Sequence, residues 1–249
     1  IRRLGADGQV DGIVRLIGLF SSDAYVERPW DIPLIRRKVE TVIQRSRLQP
    51  GSHSAKNLRE ILHGLPRDEL FQSGELELFD TCMGIRALRD RHPLRLFLRR
   101  DRYGRFFSAL IYLPRERYSR ELRDRLSLAL QEMCGGLSVD RTMEFLRHGL
   151  GRLHVIVRTP PGQELRLPVA HIEQRLVELA RPWREQLLEA LRAVQAPDAE
   201  SLAQRFGEAF EIGYIERAGA AEVAADVRSL ARLRPEHRLL PSLRAGFGP

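Results

Sequence analysis

The sequence predicts an α+β chain built around a four-stranded antiparallel sheet with two helices on one face. Three observations carry this. Residues 94–190 read in the order β-β-α-β-β-α. Two stretches alternate with period two around a Gly turn, which is hairpin patterning. The helix candidates between and after them show apolar residues at period 3.6. Rotated by one strand, the order becomes β-α-β-β-α-β, the ferredoxin-like arrangement.

The elements follow in chain order. Ile1–Leu4 reads as the end of a strand, Gly5-Ala6-Asp7-Gly8 as a turn, and Gly12–Phe20 as a β-rich run. Ser21–Trp30 is a loop. Pro33 suits a first helical turn, Ile35, Val39, Val42 and Ile43 continue at helical spacing, and Pro50-Gly51 ends that helix. Ser54–Leu62 is a short helix, and Pro66-Arg67-Asp68-Glu69 opens another with acids in its first turn.

Leu94, Leu96 and Leu98 then alternate with Arg95, Phe97 and Arg99, and Asp101-Arg102-Tyr103-Gly104 turns the chain. The returning strand, Phe106–Leu113, is apolar on both faces, which suits a central position under cover. From Ser119, Leu122, Leu126, Ala129, Leu130 and Met133 line one helical face, and Gly135-Gly136 stops the helix. Two strands follow: Leu137, Val139, Met143 and Phe145 share one face of the first, and Leu153, Val155 and Val157 one face of the second. A long amphipathic helix is expected from Ile172 to Val194, kinked at Pro182. Beyond Pro197 the chain reads as helical, with candidates at Ser201–Phe210 and Glu222–Leu233 and a frayed tail.

The order strand, Gly turn, strand, loop ending in Tyr, helix occurs twice: Arg3 to Tyr25, and Arg99 to Tyr118. The reading is therefore an incomplete ferredoxin-like module over residues 1–92, a complete one over 93–195, and a helical connector with tail over 196–249. Small regulatory ligand-binding domains of the ACT kind share this fold. Because the chain opens on Ile1 in mid-strand, it is expected to be cut from something longer.

Composition narrows function mostly by exclusion. Hydrophobic residues make up 43% and charged residues 30%, values of an ordinary globular chain rather than a disordered one. No apolar run approaches the roughly 20 residues that cross a bilayer, so no membrane partner is expected. Cys82 and Cys134 stand alone and are expected as buried free thiols in a cytoplasmic protein. Net charge is +8, yet Lys38 and Lys56 are the only lysines among 41 basic residues. Most arginines sit beside acids, as in Arg120-Glu121-Leu122-Arg123-Asp124-Arg125. That is a mixed, solvated face rather than a phosphate track, and it speaks against a nucleic-acid partner.

Seven histidines show no metal-ligand spacing. Neither a dinucleotide fingerprint, a P-loop nor a G-x-S-x-G elbow is present. Catalytic, cofactor-binding and metal residues are thus expected to be none. One candidate remains: Arg115, Arg117 and Tyr118 sit at a strand-to-helix junction, with Ser21, Ser22, Asp23 and Tyr25 as the counterpart in the first copy. Helix N–H groups there favour an anion, and a carboxylate ligand such as an amino-acid effector fits that chemistry. An alternative is an RNA-binding protein with ferredoxin-like domains, using Phe97, Tyr103, Phe106, Phe107 and Tyr112 with arginines. That reading needs aromatic rings exposed on the sheet.

Several blocks resemble the very large bacterial NAD-specific glutamate dehydrogenases. They include Leu19-Phe20-Ser21-Ser22-Asp23-Ala24-Tyr25, Ile32-Pro33-Leu34-Ile35-Arg36-Arg37-Lys38-Val39 and Ser52-His53-Ser54-Ala55-Lys56. Arg99-Arg100-Asp101-Arg102-Tyr103-Gly104-Arg105-Phe106, Tyr112-Leu113-Pro114-Arg115-Glu116-Arg117-Tyr118 and Ala180-Arg181-Pro182-Trp183 continue the series, and blocks after Pro197 are looser. The resemblance implies the ACT-like N-terminal region of such an enzyme, ahead of its catalytic domain. It further implies a role in allosteric regulation and assembly of a homo-oligomer, alongside other domains or protomers of the same enzyme. The parent would oxidise L-glutamate with NAD and water to 2-oxoglutarate, ammonia and NADH, with this segment itself non-catalytic and free of cofactor.

Overall fold

The computed structural model describes residues 2–14, 18, 21–88, 94–146 and 149–233. The chain divides into two compact units, Ile1–Arg89 and Asp90–Pro249.

The first unit opens with β1 (Arg2–Leu4) and β2 (Val10–Ile13), an antiparallel hairpin. Gly8 takes φ +76°, which a residue with a Cβ rarely adopts, and its N–H closes the turn on Gly5 O at 2.9 Å. The longer strand expected through Phe20 ends at Ile13; residues 15–17 and 19–20 lie outside the described residues. Next comes α1 (Asp23–Val26), then α2 (Pro33–Ser46), α3 (His53–Gly64), α4 (Arg67–Gln72) and α5 (Glu75–Arg86). The caps are local chemistry. Ser52 Oγ accepts from Ala55 N at 3.2 Å, and Glu77 Oε2 accepts from Gly74 N at 3.0 Å. Helices α2 to α5 contact one another and bury Ile35, Val39, Val42, Leu58, Leu62, Leu70, Leu78 and Cys82.

The second unit holds β3 (Arg95–Arg100) and β4 (Phe106–Pro114), a 3-10 turn at Arg115–Arg117, and α6 (Arg120–Met133). Then come β5 (Ser138–Phe145), β6 (Leu150–Arg158) and α7 (Val169–Leu179). The sheet order is β3-β4-β6-β5, every neighbour antiparallel. Strands β4 and β5 therefore run parallel with β6 between them, and α6 is the crossover that joins them. This is the ferredoxin-like topology with its last strand placed first in the chain. Leu122, Leu126 and Leu130 of α6 and Ile172 and Leu176 of α7 bury against Phe107, Ala109, Ile111, Leu113, Leu153, Val155 and Val157. Both helices thus cover one face. Glu173 ties α7 to the edge strand β3, accepting from Leu96 N at 2.8 Å and Arg95 Nη1 at 2.9 Å.

Two further expectations change, and one holds. The long helix through Pro182 is two helices, α7 and α8 (Trp183–Ala193), with Pro182 in extended geometry at the start of the second. Proline disfavours helix in the residue before it and lacks the N–H that would continue the ladder. After it, α9 (Ala199–Phe206) is followed by α10 (Ile212–Leu230), which begins ten residues before the candidate at Glu222 and bends at Gly219, φ +72°. Leu187, Leu191, Ala199, Ala203, Val223, Ala224 and Val227 form their own core. Finally, Leu110 and Tyr112, on the sheet face opposite α6 and α7, are buried, at 2% and 3% exposure. The Arg99 and Arg105 guanidinium groups lie over the Phe106 ring on that face, and Phe97 meets Tyr112 edge-on at 5.8 Å. Leu110 and Tyr112 thus have the cover that the two apolar faces of β4 call for, while Phe97 and Phe106 beside them stay partly exposed.

Candidate functional site

The junction between β4 and α6 is built by local rules. Pro114 ends the strand, the 3-10 turn reverses the chain, and Ser119 caps α6, its Oγ accepting from Leu122 N at 3.1 Å. Glu121 sits in the first turn of α6, where its own backbone N–H and the Ser119 hydroxyl hold its carboxyl below the usual range. The loop is closed onto the β5–β6 turn by Arg115 N, which donates to Gly149 O at 2.7 Å.

The predicted side chains separate here. The Arg115 guanidinium lies 4.9 Å from the Phe145 ring centroid, and Tyr118 meets the same ring edge-on at 5.3 Å. Arg115 is exposed, and among the described residues it has no acidic partner. Arg117 turns away to Glu185 Oε1 at 3.5 Å. The arrangement is one cation resting on an aromatic ring beside a helix start, which can receive a carboxylate. Phe145 was not among the predicted site residues, since its alternation with Val139 and Met143 points to the core; at the strand end it is 46% exposed.

Ser21, Ser22, Asp23 and Tyr25 belong to the other unit. Ser21 Oγ donates to Asp23 Oδ2 at 3.4 Å, and Tyr25 OH donates to Asp68 Oδ1 at 3.2 Å. The Asp68 carboxylate, aided by burial, raises the Tyr25 phenol above its ordinary value. The helix starting at Asp23 has four residues, and α2 begins only at Pro33. Asp68 was missed because 43 residues separate it from Tyr25 and no local pattern links them.

Cys82 and Cys134 are buried and free, and burial pushes their thiols up to about 12 and about 11. Among the described residues, no group of three or more His, Cys, Asp or Glu could hold a metal ion, and no helix is long and apolar enough to cross a membrane.

Two family models match the chain in tandem. Residues 32–91 match glutamate dehydrogenase, helical motif 1, and residues 95–184 match glutamate dehydrogenase, ACT2 domain. The chain belongs to this glutamate dehydrogenase family. The ACT2 match spans β3 to α7, the ferredoxin-like sheet with its two helices, and the helical-motif match spans α2 to α5. Among relatives, the NAD-specific glutamate dehydrogenase of Halomonas elongata is 35% identical over 94% of this chain. That of Pseudomonas aeruginosa is 34% identical over 97%, and that of Mycobacterium tuberculosis 28% over 90%. The chain spans only 14–15% of the length of these relatives.

Proposed function

We propose that this chain is a regulatory and assembly segment of an NAD-dependent glutamate dehydrogenase. The observation that carries the reading is the tandem of helical motif and ACT2 domain, in order, along relatives named as NAD-specific glutamate dehydrogenases. The whole enzyme would oxidise L-glutamate to 2-oxoglutarate and ammonia with NAD, in the cytoplasm, as a homo-oligomer in amino-acid catabolism. This segment takes no catalytic step and holds no cofactor. It divides at residues 1–92, 93–195 and 196–249, the first belonging to one module and the second forming another.

The regulatory site is the loop of Arg115, Arg117 and Tyr118, or its counterpart Ser21, Ser22, Asp23 and Tyr25. An amino-acid effector would place its carboxylate at the start of α6, where Arg115 adds a charge-assisted bond. Of the five rings the RNA reading uses, Phe107 and Tyr112 are buried, at 1% and 3% exposure, and only Tyr103, in the β3–β4 turn, is fully open, which disfavours that reading because stacking needs open rings on the sheet.

Calorimetry with a panel of amino acids, on wild type and Arg115→Ala, tests the site. Binding to wild type that falls at least about tenfold in Arg115→Ala is expected, the effect of one charge-assisted bond. Binding untouched by Arg115→Ala and by changes in Ser21–Tyr25 would place the site elsewhere. NADH formed from glutamate and NAD by the purified chain would overturn the non-catalytic assignment.

A further inference from the structure

Helix α1 buries none of its residues. Val26 is 80% exposed and Tyr25 50%, and the first buried residue after the helix is Pro29. Hydrophobic burial therefore does not hold residues 21–28 in place. Their contacts run instead to two adjacent residues at the start of α4. Arg67 Nη2 donates to Glu27 O at 2.9 Å, and its Nη1 donates to His63 O at 3.2 Å. Asp68 Oδ1 receives the Tyr25 hydroxyl.

The two carbonyls on Arg67 share a property. His63 O lies in the last turn of α3 and Glu27 O at the cap of α1, both places where helix geometry leaves acceptors without an intrahelical donor. One planar guanidinium joins two helix ends. The side chain is half-buried, burial pushes it below its ordinary value, and among the described residues it makes no ion pair. Its Nε is buried with no partner. A long, flexible arginine could avoid this cost by reaching into water. That it stays indicates that the two carbonyls hold it.

We infer that Arg67 is the positioning residue that fixes the Ser21–Tyr25 loop on the helical unit, with Asp68 as a second catch on Tyr25. The inference concerns what holds the loop and stands whether or not an effector binds there. Release of the loop is then a local event that leaves α2, α3 and α5 in place.

Hydrogen exchange read by mass spectrometry on the whole chain tests this. The amides of Ala24, Tyr25 and Glu27 report, since they bond to Ser21 O, Ser22 O and Asp23 O. In Arg67→Met, exchange over residues 22–28 should rise about tenfold, the worth of one charge-assisted hydrogen bond, with peptides of α2, α3 and α5 unchanged. Arg67→Lys, which keeps the charge but not the fork, should restore part of the protection. Tyr25→Phe should raise exchange less than Arg67→Met. Wild-type exchange in Arg67→Met, or an unprotected segment already in wild type, would overturn the inference. A uniform rise across α2, α3 and α5 would also overturn it, making Arg67 a support of the core instead.

Discussion

Lys38 is one of two lysines in a chain otherwise supplied with arginine, and the structure gives the reason. Its Nζ donates to Leu70 O at 3.0 Å, Phe71 O at 2.7 Å and Ser73 O at 2.7 Å. These are carbonyls of the last turn of α4 and of the step into α5, left without helical donors. An ammonium offers three donors from one nitrogen, whereas a guanidinium is a planar fork and cannot converge on three acceptors. Lys38→Met keeps the apolar stem and removes the charged head. A hydrogen bond to a charged group contributes about 1.5–3 kcal/mol net. Three bonds on one half-buried head are not additive, so the loss should be about 2–4 kcal/mol. Lys38→Arg, keeping one or two bonds, should lose roughly half of that. The assay is urea unfolding followed by tryptophan fluorescence in a Trp183→Phe background, which leaves Trp30, packed against His63, as the only tryptophan. With a slope of about 1–2 kcal/mol per molar for a unit of this size, Lys38→Met should lower the midpoint by about 2 M. Lys56→Arg, at an exposed position, should change stability by less than about 0.5 kcal/mol. A Lys38→Arg midpoint equal to wild type would refute the argument that the carbonyls select an ammonium.

Leu126 is fully buried between α6 and the sheet. Leu126→Ala should cost about 2–5 kcal/mol, and Leu126→Asp more, because a charge would be buried; an unchanged melting temperature for Leu126→Asp would contradict the packing. Cys82 and Cys134 have native pKa values raised from an ordinary 9.0 to about 12 and about 11. Their contribution to stability is present below pH 9 and is lost as pH rises through those values, so Ellman's reagent at about pH 8 should react only as denaturant unfolds the chain. The Asp101 carboxyl is held below its usual range, first by the Arg105 side chain, and it also accepts from Tyr103 N and Arg105 N. Its stabilisation of the β3–β4 hairpin is present above pH 3.8 and is lost as pH falls through the lowered value, so Asp101→Asn should flatten the acid dependence of melting.

What the sequence determined by itself was whatever is periodic or local. The four strands of the sheet were legible because alternation has period two, α6 because its leucines recur at helical spacing, and its start because a serine cap acts within three residues. The central place of β4 was legible from its two apolar faces, and the β-β-α-β-β-α order sufficed for the ferredoxin-like class. Of the candidate site, the loop Arg115–Tyr118 and its helix start were readable. The tertiary structure alone decided that Arg115 rests on Phe145, that Arg117 turns to Glu185, and that Tyr25 reaches Asp68. It also placed Lys38 among three carbonyls and joined two helix ends through Arg67. Each of these joins groups far apart in the chain, or depends on where a long side chain finds an acceptor. Neither leaves a period or a spacing in the sequence, because the partner is chosen by proximity in the folded state and not by distance along the chain.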